Sequence, residues 1–428
     1  MKSFRNPKYL ERYEDVIFDL EQAINTADPA NNAAQVRAPN LKFIADNTGE
    51  ATPFDWYNAR FSMDFKVTTL AGGNLAAEDH NGIVNGSNSF IKKLTILANG
   101  KEVYSCNEAN HVANIKNLLE YNSSYAKSTG TKEFYYPDTS RSAEERAAQA
   151  EYNVGFALRK KVLGTSALVN CEIPLNRYSF FEALEDKLPP NTKIELNFEI
   201  ESDANLVFQA GANCRVIIKR LQLYVPKLTF NAEGQKLYMA NYFKPYKWTY
   251  LNEVVHISNN LQQQTGHYRI TTAISKPRHV FVWAIQTAAI NTQTANPFIY
   301  DTFGNIPNNA NVTRCYLEVG NGNEYPDFHY KPSTDLKRVF RGLLEYVHAN
   351  NDFQGGTILD MTSYKKVYPI IYFDLTKQKL DIKDGVTKLA FHFELSANPN
   401  ADYNFYALVL HEREAEINQE NGKLLIRA

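Results

Sequence analysis

The sequence predicts an all-β protein built as two β-sandwiches in tandem, with short helices between strands and one helix at the N-terminus. Three observations predict it. Short segments rich in Ile, Val, Phe, Tyr and Leu alternate with turn residues, long amphipathic helices are rare, and the second half of the chain repeats the order of the first. With 428 residues, 44% hydrophobic and 13% aromatic, the chain is long enough to bury more than one core.

The N-terminal helix is expected because Asn6 can cap it, Pro7 suits its first position, and Leu10, Tyr13, Ile17, Leu20 and Ile24 recur at helical spacing. The stretch Asn25 to Asn40, with Asp28-Pro29, Asn31-Asn32 and Pro39, has loop composition and ends it. Strands are expected at Phe61 to Leu70, Ile91 to Tyr104, Ile194 to Glu201, Val216 to Val225, His279 to Ala288, Tyr368 to Leu375, Leu389 to Leu395 and Phe405 to His411. Turn signals separate them, including Ala71-Gly72-Gly73, Asn99-Gly100, Pro189-Pro190, Gly320-Asn321-Gly322 and Asp384-Gly385.

The internal repeat is the most informative feature. Ile91 to Tyr104 forms a hairpin around Asn99-Gly100, and a helix follows that ends Asn117-Leu118-Leu119-Glu120-Tyr121. Val312 to Tyr325 gives the same hairpin, and the next helix ends Gly342-Leu343-Leu344-Glu345-Tyr346. Further on, Thr192 to Ile200 matches Thr387 to Leu395, with apolar residues and a Glu in equivalent places, and each half closes on one more strand, near Ile217 and Val409. The offset is 222 at Gly100 and Gly322, 225 at Tyr121 and Tyr346, and 195 at Thr192 and Thr387, so the first copy carries 30 extra residues after its helix. A unit of this length means two copies of one domain, not a solenoid. The opening strands of the two halves match weakly.

The extra residues lie within Asn122 to Gly164, a polar stretch expected as a surface excursion with a short helical run at Ser142 to Gln149. It is a candidate tower or inter-subunit clasp, against the plainer reading of a surface loop. The expected organisation is a helical arm over 1–35, a first sandwich over 36–228 and a second over 229–428.

Charge narrows the function. Lys and Arg number 46 against 47 Asp and Glu, with no long run of either sign, which argues against a protein that works by neutralising phosphates. Cys106, Cys171, Cys214 and Cys315 are scattered, without a Cys-x-x-Cys pair, as expected for reduced thiols in a cytosolic or nuclear product with no metal site. The charged start, Met1 to Val16, is not a signal peptide, and the longest apolar stretch, His279 to Ile290, is too short for a bilayer. No catalytic motif stands out. His411-Glu412-Arg413-Glu414 lacks the second histidine of a zinc helix, Gly320-Asn321-Gly322 is a hairpin turn, and no Gly-x-Ser-x-Gly elbow occurs. No cofactor is expected.

The order of strand, Asn-Gly turn, strand and helix closing on Leu-Leu-Glu-Tyr resembles the double jelly-roll major capsid proteins of Polinton or Maverick elements, adintoviruses and virophages, in the lineage of adenovirus and tectivirus shells. The resemblance is strongest over Phe90 to Tyr121 and Ala167 to Val225 and rests on pattern and order. It implies that each sandwich is a jelly roll, and that the chain is a non-enzymatic subunit of an icosahedral DNA-virus capsid forming homotrimeric, pseudo-hexagonal capsomers. It also implies neighbouring capsomers and penton or minor capsid proteins as partners, synthesis in host cytoplasm or nucleus, and no sequence-specific nucleic-acid binding; an internal membrane stays open. The stripe Leu10, Tyr13, Ile17 and Leu20 is the candidate interaction surface of the arm, against a helix packed on its own domain. The rivals are a two-domain carbohydrate- or receptor-binding module, which would cluster aromatics in loops on one face, and a hydrolase, which would pair carboxylates or histidines at strand ends.

Overall fold

The structure is a computed structural model and describes residues 5–21, 41–50, 52–76, 82–83, 85–143, 148–149, 152–208, 213–242, 246–350, 356–379, 382, 384–417 and 424–427. The first half supplies β1 (Leu10–Asp19), β2 (Leu41–Asp46), β3 (Arg60–Thr69), β4 (Gly82–Ile83), β5 (Ile91–Ala98), β6 (Lys101–Cys106), β7 (Val169–Pro174), β8 (Lys193–Ile200), β9 (Val207–Phe208) and β10 (Cys214–Phe230). The second supplies β11 (Tyr246–Ile257), β12 (Thr265–Ser275), β13 (Pro277–Gln286), β14 (Phe303–Ile306), β15 (Ala310–Val319), β16 (Asn323–Tyr330), β17 (Ile371–Asp374), β18 (Val386–Leu395), β19 (Tyr403–Ile417) and β20 (Leu424–Arg427). Helices α1 (Ala109–Glu120), α2 (Val154–Leu163) and α3 (Leu336–Asn350) bear on the site.

In the first half the sheets run β1-β10-β3-β7 and β2-β8-β5-β6; in the second, β11-β19-β13-β17 faces β12-β18-β15, with β16 and β14 both on the far side of β15. The halves therefore correspond strand by strand. β1, β3, β7 and β10 answer to β11, β13, β17 and β19, while β2, β5, β6 and β8 answer to β12, β15, β16 and β18. Each half is a jelly roll.

The matched segments form strands because their apolar residues alternate. Ile194, Leu196, Phe198 and Ile200 of β8 point inward, as do Leu389, Phe391, Phe393 and Leu395 of β18. Asn99 and Gly100 both take positive φ, 50° and 77°, as a two-residue turn between twisted strands requires. Phe43 stacks between Phe61 and Phe198 across the first core, at centroid distances of 5.4 and 5.7 Å.

The expected N-terminal helix is a strand. Asn6 does cap, its Oδ1 accepting from the Lys8 N–H at 3.0 Å, and Pro7 does take the first position, but the helix ends at Tyr9 after a single 3-10 turn. From Leu10 the chain runs antiparallel to β10, Leu10 opposite Phe230 and Asp19 opposite Gln222. Val16, Phe18 and Leu20 turn inward onto the core, a period of two, and the β-branched and aromatic run Val16-Ile17-Phe18 suits a strand. The helical spacing of Leu10, Tyr13, Ile17 and Leu20 was fortuitous. Ile24 and the predicted loop to residue 40 lie outside the described residues. The first jelly roll thus includes residues 10–19, and the weak match of opening strands came from taking β1 for a helix.

The segment 122–164 is not a purely polar surface excursion. Phe134, Tyr135, Phe156 and Leu163 are buried in it, and so are its Glu133, Asp138, Asn153 and Arg159. Its average polarity concealed two short apolar patches and polar groups that are paired inside the protein. The run Ser142 to Gln149 falls partly outside the described residues.

The strand assignment of residues 10–19 has a direct test. Phe18→Ala, which removes an edge-on contact with Phe54 at 5.9 Å, should cost about 1–2 kcal/mol in urea unfolding, less than a fully buried Phe. Ile17→Ala, on the exposed face, should stay within about 0.5 kcal/mol. Equal losses would contradict the strand.

Candidate assembly site

Helix α1 has every residue from Ala109 to Leu119 buried. Its sequence lacks Gly, Pro and any β-branched run, so it forms a helix readily, and Tyr121 leaves it in extended conformation. A helix enclosed on all sides must find partners for its polar side chains. Asn110 Nδ2 donates to Glu201 Oε2 at 3.0 Å, and Asn114 Nδ2 donates to the Tyr300 hydroxyl at 2.8 Å. Lys116 Nζ lies 2.6 Å from Glu182 Oε2 and is also ion-paired with Glu253. The His111 ring sits among Phe298 at 4.7 Å, Tyr406 at 5.4 Å, Trp283 at 5.9 Å and Tyr300 at 6.3 Å.

Glu253, Trp283, Phe298, Tyr300 and Tyr406 all belong to the second half. Helix α1, which the sequence assigns to the first sandwich, is therefore a shared element, and one continuous hydrophobic cluster runs through both halves. Other contacts cross the same seam. The Tyr250 hydroxyl on β11 donates to the Val103 carbonyl on β6 at 2.7 Å, and Phe180 meets Trp248 and Tyr250, each at 5.7 Å. Gln293 Nε2 donates to the Cys214 carbonyl at 2.6 Å while its Oε1 accepts from the Cys214 N–H at 2.9 Å.

The segment 122–164 clamps this seam from the side. Arg159 on α2 is ion-paired with Asp138 at 2.6 Å, both fully buried, and Asp138 also accepts from Asn296 Nδ2 at 3.0 Å. The Asp138 N–H donates to the Tyr368 hydroxyl at 2.9 Å, and Arg141 is ion-paired with Asp301. Gly155 lets α2 approach this turn, since a Cβ there would collide with the Pro137 carbonyl.

Burial shapes the electrostatics. Desolvation alone would lower the Lys116 pKa, but Glu182 and Glu253 outweigh it and hold the ammonium above the usual lysine range. Burial raises the Glu253 carboxyl above its ordinary value even beside Lys116. Burial, with the Lys92 charge as a second cause, holds the His111 imidazole down at about 3. His279 and His411 are each lowered to about 4, again chiefly by burial.

The four predicted interaction residues, three on β1 and Leu20 just after it, separate onto two faces. Leu10 and Leu20 are half-buried, Leu10 against the cluster of Leu188, Leu228, Phe230 and Tyr238, and Leu20 against the main core. Tyr13 and Ile17 stay exposed, the Tyr13 hydroxyl donating to Asp55 at 3.2 Å. His111, Asn114 and Lys116 were not singled out by sequence. A signal existed: α3 carries an exposed charged stripe of Lys337, Arg341 and Glu345, whereas α1 has no such stripe.

All four cysteines are free and buried. Among the described residues no group of three His, Cys, Asp or Glu side chains is placed to hold a metal ion, and no helix is long and apolar enough to cross a membrane.

No family model matches the sequence, and no curated protein is similar to it. The fold does have relatives among solved structures. A chain from the structure of the Sputnik virophage aligns with TM-score 0.62 and 10% identity, covering 98% of this chain and 89% of that one. The mavirus major capsid protein aligns with TM-score 0.53 and 11% identity, over 97% and 90% of the two chains. The Faustovirus major capsid protein gives TM-score 0.54 and 9% identity, over 94% and 90%. The chain has the double jelly-roll fold that these structures share.

Two stability measurements test the seam. Lys116→Met leaves Glu253 fully buried without its cation, takes one partner from the part-exposed Glu182, and should cost about 3–5 kcal/mol in urea unfolding. For His111 the folded value, about 3, lies below the ordinary 6.5, so its contribution is complete above pH 6.5 and is lost as pH falls from there towards 3. Each pH unit in that window removes about 1.4 kcal/mol. Between pH 7 and pH 4.5, His111→Phe should therefore lose about 2.5 kcal/mol less than the wild type, and equal losses would contradict a buried neutral imidazole.

Proposed function

We propose that this chain is the structural subunit of an icosahedral viral capsid, three copies of which close into a pseudo-hexagonal capsomer. The observation that carries the reading is the pair of like sandwiches fixed side by side through α1. A three-fold assembly of such a chain presents six similar walls, which can tile a closed shell. The likeness of fold to the mavirus and Faustovirus major capsid proteins and to a chain of the Sputnik virophage, over nearly the whole chain, supports it. The reading takes the two sandwiches as the building blocks, the first ending with β10 at Phe230 and the second opening with β11 at Tyr246, and gives the protein no catalytic role. Its partners are further copies of itself and, at shell vertices, penton or minor capsid proteins; its place is the virion of a DNA virus, after synthesis in host cytoplasm or nucleus.

The carbohydrate-binding rival gains no support from the placement of aromatics. The strongly exposed aromatic rings among the described residues, Tyr13 and Phe328, lie on different halves and form no platform.

Size-exclusion chromatography with light scattering on the purified chain should give three times the chain mass, and negative-stain images should show three-fold, six-cornered particles. A stable monomer at micromolar concentration would contradict the proposal.

A further inference from the structure

The duplication leaves one copy of the seam covered and the other bare. In the first sandwich, edge strand β6 is covered: Val103 and Tyr104 are fully buried, Cys106 is 3% exposed, and β11 lies against them through the Tyr250 bond to Val103. In the second sandwich the equivalent strand is β16, where the residues that answer to Tyr104 and Cys106 by pairing, Tyr325 and Tyr330, are only half-buried, and Phe328 in the bulge between them is 82% exposed. The helices show the same contrast. Lys116 on α1 is buried between two carboxylates, whereas Arg341, at the offset of 225 from it, is exposed on α3 and has no ion-pair or hydrogen-bond partner among the described residues.

The donor strand shows it a third time. On β11, Trp248 and Tyr250 are 3% exposed and Glu253 is fully buried, while on β1, its counterpart, Tyr13 is 47% and Ile17 50% exposed. The two bare surfaces complement each other in charge. β1 carries exposed Glu11, Glu14, Asp15 and Asp19 against one exposed cation, Arg12, and α3 carries exposed Lys337 and Arg341 against one exposed anion, Glu345. Between β16 and α3 lies a cavity of about 480 Å³, lined in part by Arg314, Glu324, Asp327, Phe328, His329 and Arg338. Its wall is firm: Arg338 Nη2 donates to the Phe328 carbonyl at 2.6 Å and its guanidinium lies 5.3 Å over the Tyr330 ring.

We infer that the bare edge of the second sandwich, Phe328 on β16 with Arg341 on α3, is the socket for β1 of a second copy, which inserts Tyr13 and Ile17 and sets its acidic residues against Lys337 and Arg341. This rests on the capsomer reading and specifies its contact. The seam between copies then repeats the seam within a copy, with β1 in the place of β11, β16 in the place of β6, and Arg341 in the place of Lys116. An exposed edge strand with an outward aromatic invites pairing, and a head-to-tail contact of this kind uses it up only in a closed ring.

The test uses the full chain and two double variants, Phe328→Ser with Arg341→Glu on the socket side and Tyr13→Ser with Ile17→Ser on the strand side. Val386→Ser, at a site on β18 that is 71% exposed, is the control. At concentrations where the wild type is fully trimeric, both double variants should lose the trimer mass while keeping the wild-type circular dichroism spectrum, and the control should stay trimeric. A Tyr13→Cys, Phe328→Cys chain should give covalent trimers on a non-reducing gel. Trimers that survive either double variant, or the absence of any cross-link, would overturn this interface and leave the capsomer reading standing. A monomeric wild type would sink the capsomer reading itself.

Discussion

The structure depends on one enclosed helix. α1 is surrounded by protein on every side, and half of its residues are polar, so Asn110, Asn114 and Lys116 depend on specific partners inside the protein. Several of those partners sit on the second sandwich, so neither half can complete its interior alone. Unpaired, Lys116 or Glu253 would be a buried charge at a cost of several kcal/mol, which makes the relative placement of the halves sharply determined. In the capsid proposal that property serves a shell wall. A hinge between the sandwiches would spoil the angles on which closure depends.

Duplication supplied the geometry and sequence divergence supplied the difference between the copies. The two jelly rolls keep the same strand order, yet the covered members of each pair carry Val103, Cys106, Lys116 and Trp248, and the uncovered members carry Phe328, Arg341 and Tyr13. The first copy alone has the insertion at 122–164, and that insertion is bound to the second copy through the buried Arg159, Asp138 and Asn296 network. It serves as a side clamp on the joint.

Much of the fold was legible from particular residues. Asn99-Gly100 and Gly320-Asn321-Gly322 marked the hairpins, Leu-Leu-Glu-Tyr marked the helices, and the alternation in Thr192 to Ile200 and Thr387 to Leu395 marked the paired inner strands. β1 was misread because Leu10, Tyr13, Ile17 and Leu20 fit a helical period while its strand period is carried by Val16, Phe18 and Leu20; pairing with β10 decided between them, and that pairing spans more than two hundred residues. The seam was invisible for a related reason. His111, Asn114 and Lys116 look like an ordinary solvated face until the second sandwich is placed over them, and the same long range hid the buried role of Arg159 in a stretch of polar composition.

Cryo-electron microscopy of the purified oligomer tests the central claim most directly. The account predicts a closed ring of three chains in which six jelly rolls alternate about a pseudo-six-fold axis, so that a seam between chains superposes on the seam around α1. Dimers, open chains, or a ring whose two kinds of seam use different strands would contradict it.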